Sequence, residues 1–133
     1  MEQRATPPRI LIVDDAPTVR EALRWMLGEV LDGPLVGEAK DGNEALALVT
    51  EFAPDVVILD IELPDKDGYM VARSLKALPN APLVLFLSVH DDLYAKQQAA
   101  AAGGDGFVEK ALGWLPLIEE VHRLLVNRHR FAE

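Results

Sequence analysis

The sequence predicts an α/β fold, one open parallel sheet with helices on both faces. Two observations carry that prediction. Short β-rich apolar runs alternate with segments of helical periodicity, and several of the apolar runs stop at residues that carry chemistry. Strand C-termini share one edge of a parallel sheet, so side chains that end separate strands can meet there.

The first strand spans residues 9–13, and residues 18–30 follow as a helix because Val19, Leu23, Met26, Leu27 and Val30 recur on one face. Gly33 and Pro34 then mark a turn. A second strand over 35–39 leads through Asp41 and Gly42 into a helix bearing Ala45, Leu46, Leu48, Val49 and Phe52, and Pro54 ends that connection. The third strand, 56–60, is an apolar run closed by Asp60. Residues 62–68 hold a proline, a glycine and three acids, so they form an exposed loop before a helix over 69–78, which Pro79, Asn80 and Pro82 stop. The fourth strand, 83–87, precedes an Ala-rich helix over 91–102. Gly103, Gly104 and Gly106 introduce a short fifth strand, and the last helix runs from 113 or 114 to 127. Alanine favours helix, but Leu93, Tyr94 and small alanines bury little apolar area, so the fourth helix is expected to be the loosest-held element.

A chain of 133 residues, 50% apolar and without repeats, predicts one domain spanning residues 1–133, with its core at about 8–127 and short tails. Its longest nearly uninterrupted apolar stretch, 83–89, is far below the roughly 20 residues of a membrane helix. Residues 1–8 lack the apolar region of a signal peptide, and zero cysteines suit a cytoplasmic protein. The net charge of -9 opposes direct nucleic acid binding. Arg123, Arg128, His129 and Arg130 read as cations complementing the dipole of the last helix.

The residues at or just beyond the strand ends are Asp14 and Asp15, Asp60, Ser88 and, shortly after Phe107 and Val108, Lys110. Three carboxylates, a hydroxyl and an amine are the kit for making an aspartyl phosphate. A carboxylate attacking phosphorus forms a mixed anhydride, and the protein must position the reactants and neutralise anionic oxygens. Each residue also has a plainer reading: Asp14 and Asp15 as caps of the next helix, Asp60 as a turn residue, Ser88 as a cap, Lys110 as a surface lysine. Their joint occurrence in this order favours the phosphoacceptor.

The segments ILIVDDAPTVREAL, PDVVILDIELPDKDG, LVLFLSVHDD and AAGGDGFVEK resemble the receiver domain of two-component response regulators over about residues 8–127, and look closest to receivers of LuxR-type regulators. The resemblance implies a flavodoxin-like, CheY-like fold with strand order 2-1-3-4-5. It implies a non-enzymatic signalling domain with at most self-catalysed phosphotransfer and autodephosphorylation. A histidine kinase or phosphotransfer protein would phosphorylate Asp60 in a Mg2+-dependent reaction, with Mn2+ as an alternative ion. Asp14, Asp15, Asp60 and the backbone carbonyl of Glu62 would hold the metal, hard oxygen ligands suited to it. Without metal, the packed carboxylates should raise at least one pKa. Ser88 and Lys110 would contact phosphoryl oxygens, and Phe107 would rotate inward as the α4-β5-α5 surface switches to control a partner or an output domain. Dimerisation on phosphorylation would use the fourth and fifth helices, or the first and fifth.

The sequence departs from the family in three places. Ala111 follows Lys110, so the family's cis proline is absent and the loop there is expected to differ. Val89 is bulkier than the small residue usual beside Ser88 and would restrict phosphoryl access. Glu62 and His90 occupy positions that tune phosphoryl lifetime in the family, Glu62 by repelling water or donor and His90 in either direction. A phosphatase of the haloacid-dehalogenase type uses similar groups, but its nucleophile belongs on the first strand. A stand-alone receiver and a receiver from a longer regulator with a DNA-binding effector both agree with the sequence.

Overall fold

The computed structural model describes residues 6–89 and 92–131, with side chains described up to Arg128. Five strands, β1 (Arg9–Val13), β2 (Leu35–Ala39), β3 (Val56–Asp60), β4 (Leu83–Ser88) and β5 (Gly106–Glu109), form one parallel sheet in the order β2-β1-β3-β4-β5. The helices are α1 (Pro17–Val30), α2 (Gly42–Phe52), α3 (Gly68–Lys76), α4 (Leu93–Ala101) and α5 (Trp114–Phe131).

Alternate strand residues point to opposite faces, which divides the core in two. Leu11, Val13, Val57, Leu59, Val84 and Phe86 face α2, α3 and α4, where Val49, Val71, Leu75 and Ala99 cover them. Ile10, Ile12, Val56, Ile58, Leu85 and Leu87 face α1 and α5, under Leu23, Leu27, Leu117, Val121 and Leu124. Every residue of β3 is buried, as a central parallel strand covered on both faces requires.

Anchoring differs between helices. Leu23 and Leu27 of α1 are fully buried, each contributing about 2 kcal/mol. The buried residues of α4 are Ala95 and Ala99, while Leu93 and Tyr94 are about 70% exposed. The small buried area expected of the fourth helix is therefore present.

The observed ends shift from the predicted ones for local reasons. Helix α1 begins one residue early because Pro17 takes the first helical position, where its fixed φ is favourable and its missing N–H costs nothing. Helix α3 stops at Lys76 instead of residue 78, and Leu78 N–H closes a last turn on the Leu75 carbonyl. Strand β4 gains Ser88, which pairs with Glu109. Helix α4 starts after Asp92, whose carboxylate accepts from Ala95 N–H. Helix α5 continues four residues beyond 127, to Phe131.

The extension of α5 changes the reading of Arg123. Arg123 lies well before the last turn, outside the reach of a terminal dipole. It pairs with Glu120 at 2.6 Å and donates to the Asp105 carbonyl. Arg128 lies 3.4 Å from Asp55 and donates to the Ala81 carbonyl. The side chains of His129 and Arg130 lie outside the described residues. No helix among the described residues is long and apolar enough to cross a membrane.

Candidate functional site

The register that pairs Val13 with Leu59 sets Asp14, just past β1, beside Asp60 at the end of β3. Oxygens of Asp14, Asp15 and Asp60 lie within 4.8 Å of one another. Asp14 and Asp60 are buried and Asp15 is exposed at the rim. Lys110 enters from the turn after β5, its Nζ 3.2 Å from Asp60 Oδ2 and 3.1 Å from Asp14 Oδ2.

Neither acid after β1 serves as the N-cap of α1. That position is Ala16, without a side-chain hydrogen bond, and Asp14 Oδ1 instead accepts from Ala16 N–H in a local turn. Asp60 does open a turn, its Oδ1 accepting from Glu62 N–H at 3.0 Å, while its other oxygen remains free to face Lys110. The plain and the chemical readings of Asp60 thus use different oxygens.

Burial pushes the Asp60 carboxyl up to about 6; the Glu62 N–H and Lys110 oppose that rise, and the charge of Asp14 adds to it. Burial alone would lower the Lys110 pKa, yet Asp60 and Asp14 hold it above the usual lysine value. Asp14 Oδ2 is buried and has no hydrogen-bond partner, while Lys110 Nζ lies 3.1 Å away at ion-pair distance. A buried carboxylate oxygen without a hydrogen-bond partner, beside two more carboxyl groups, fits a hard divalent cation.

Ser88 is 2% exposed and ends β4 one residue beyond Leu87, the partner of Asp60. Val89 is exposed immediately after it. Glu62 is exposed, on a loop bridged to Asp67. Phe107 is half-buried on β5, opposite Phe86, and lines a groove of about 240 Å3 with Lys96, Leu112 and Glu120. His90 lies outside the described residues. After Lys110 the chain makes a 3-10 turn, Lys110–Leu112, closed by Gly113 at φ 85°, with no cis peptide bond among the described residues.

Two residues near the site escape sequence reasoning. Arg20 on α1 donates from Nη1 to the Asp14 carbonyl at 2.7 Å and from Nε to Glu38 of β2 at 3.0 Å. Asp65 of the β3–α3 loop bonds the N-terminus of α2. Both partnerships cross between elements, and their only sequence trace is a charged residue of ordinary spacing.

Residues 10–122 match the family described as the response regulator receiver domain. The chain is 41% identical over 124 residues to the transcriptional activator protein ExaE of Pseudomonas putida, covering 93% of this chain and 58% of that protein. It is 36% identical over 119 residues to the response regulator MprA of Mycolicibacterium vanbaalenii, covering 90% and 51%. The chain thus spans about half the length of these curated relatives. Among solved structures, a LuxR-family two-component response regulator from Aurantimonas sp. superposes with a TM-score of 0.84 at 31% identity, covering 92% of this chain and 87% of that one. The chemotaxis response regulator CheY4 of Vibrio cholerae gives 0.82 at 26% identity, covering 90% and 99%. Asp60, the nucleophile candidate, ends the third strand and not the first, which opposes the dehalogenase-type reading. With motifs, topology and relatives in agreement, the chain belongs to the response regulator receiver family, a family of signalling domains in two-component systems.

Proposed function

We propose that Asp60 is the phosphoacceptor of one receiver unit with its core at about residues 8–127. The observation that carries the reading is the buried Asp60 carboxylate set between Asp14 and Lys110. One Asp60 oxygen attacks phosphorus as the bond from phosphorus to the donor breaks, and the donor keeps that bond's electrons. The donor is the phosphohistidine of a kinase or phosphotransfer protein, or a small acyl phosphate.

Asp14, Asp15, Asp60 and the Glu62 carbonyl hold Mg2+ or Mn2+. When bound, the ion neutralises charge on the phosphoryl oxygens. Lys110 exchanges its Asp60 contact for a phosphoryl oxygen, and the Ser88 hydroxyl donates to another. Hydrolysis of the anhydride is self-catalysed, and its rate is set by Glu62, Val89 and His90. Phe107 turns inward behind Ser88, which biases the weakly anchored α4 and the α4-β5-α5 surface. That surface controls a downstream protein or an effector domain, and homodimerisation is one route. The protein works in the cytoplasm without binding nucleic acid through this domain.

Intact-mass spectrometry after incubation with Mg2+ and a small acyl phosphate tests the reading. One added phosphoryl group, absent in Asp60→Asn and absent without Mg2+, is the expected result. No gain with either the acyl phosphate or cognate phosphodonors, in folded protein that binds Mg2+, would sink it in favour of a phosphorylation-independent module.

A further inference from the structure

The β3–α3 loop carries Glu62, and it is tied down at a distance from the carboxylates. Asp65 reaches to the N-terminus of α2, Oδ1 accepting from Gly42 N–H and Oδ2 from Asn43 N–H, both at 2.8 Å. These are two of the N–H groups that a helix start leaves without intrahelical partners. Asp41, the helix's own N-cap, satisfies a third, that of Glu44. With both oxygens engaged, the Asp65 carboxylate cannot rotate without breaking a bond.

The two segments also press together. A Cβ on Gly42 would lie 2.9 Å from Val71 Cγ2 and 3.0 Å from Lys66 Cδ. At the loop's base, Gly68 N–H donates to the Ile61 carbonyl at 2.8 Å, and a Cβ on Gly68 would lie 2.6 Å from the Asp60 carbonyl oxygen. Residues 61–68 therefore form a closed loop, pinned at Asp65, whose base is the Asp60–Ile61 peptide. Within it, Glu62 N–H holds Asp60 Oδ1. On the other side of the pin, α2 follows β2, whose last carbonyl, Ala39, accepts from Asp14 N–H at 3.1 Å.

We propose that Asp65 is a positioning residue for the phosphoacceptor site, holding the Glu62 peptide in place by pinning the β3–α3 loop to α2. The proposal rests on the phosphoacceptor reading above. In it, the Glu62 N–H orients Asp60 and the Glu62 carbonyl faces the metal. Asp65 touches neither, so it acts on metal affinity and on the order of one peptide group.

The test compares Asp65→Ala with Asp41→Ala, which removes a cap from the same helix start and leaves the loop pin intact. Amide NMR spectra followed through a Mg2+ titration report affinity, and hydrogen exchange at Glu62 in metal-free protein reports the Asp60 bond. Asp65→Ala should weaken Mg2+ binding several-fold, less than the roughly 10-fold or more expected when a group bonded directly to a ligand is lost, and speed Glu62 exchange by a similar factor. Asp65→Asn, which keeps one acceptor, should fall between Asp65→Ala and wild type, and Asp41→Ala should leave both readouts near wild type. If Asp65→Ala and Asp41→Ala both keep wild-type affinity and exchange, Asp65 is only a helix cap and the proposal is overturned. A wild type that binds no Mg2+ would instead overturn the phosphoacceptor reading and the positioning role with it.

Discussion

Lys110 Nζ donates a 3.2 Å hydrogen bond to Asp60 Oδ2, joining the turn after β5 to the end of β3. The same ammonium lies 3.1 Å from Asp14, so one cation faces two buried carboxylates. Removing it leaves two anions close together in a poorly solvated place.

Lys110→Met keeps most of the aliphatic stem and removes the charge. Breaking a fully buried pair costs roughly 3–5 kcal/mol; Lys110 is partly exposed, so the expected loss at neutral pH is about 2 kcal/mol. Urea unfolding in metal-free buffer should show a smaller loss at pH 5, where Asp60 is largely protonated in the folded protein. An equal loss at pH 5 and pH 7.5 would contradict this electrostatic account.

Asp60 itself should oppose folding at neutral pH. Its folded pKa of about 6 exceeds the ordinary 3.8, so between these values the folded protein keeps a proton that the unfolded chain has released. Stability from this group is full below pH 3.8, falls as pH rises, and is lost above 6. The full difference corresponds to about 3 kcal/mol. Asp60→Asn should therefore be more stable than wild type by up to about 3 kcal/mol above pH 6.5 in metal-free buffer, with the gain vanishing near pH 4. Paired urea titrations across this range check the slope, and a gain independent of pH would point to packing instead.

Much of this site was legible because its residues stand at breaks in composition. Val56, Val57, Ile58 and Leu59 leave no polar residue before Asp60, and that abrupt edge marks a buried strand reaching the surface. The expectation that crowded carboxylates raise a pKa also holds at Asp60, although burial is the largest cause. What escaped was the scaffolding. Arg20 finds the Asp14 carbonyl and Glu38 only because α1 packs beside β2. Lys76 reaches Asp105 and the Pro82 carbonyl across two connections, a pairing set by strand register and invisible to periodicity. Helix ends misjudged by a few residues, as at α3 and α5, reflect final turns whose hydrogen bonds carry no strong sequence signal.

Gly28 offers a test of helix energetics away from the site. It lies inside α1, and a Cβ there would meet nothing within 4 Å. Its φ is not positive, so alanine adopts the same backbone without strain. Gly28→Ala should stabilise the protein by about 0.5–1 kcal/mol, by reducing the entropy lost on folding. A raised urea midpoint with unchanged slope is the expected signature, and no rise would show that α1 is not limited by this residue.

Helix α4 should be the first element to open. Its buried groups are the methyls of Ala95 and Ala99, whereas α3 buries Val71, Ala72 and Leu75. The Tyr69 hydroxyl donates to the Ala95 carbonyl at 3.4 Å, a long bond that ties α3 to α4. In native-state hydrogen exchange, α4 amides should open at a free energy at least about 2 kcal/mol below those of α3, as elements with little buried area do. Tyr69→Phe should lower α4 protection further while leaving α5 unchanged, because the lost bond joins α3 to α4 and does not touch α5. Equal protection in α3 and α4 would mean that buried area does not set the order of opening, and the low cost of repositioning α4 would lose its physical basis.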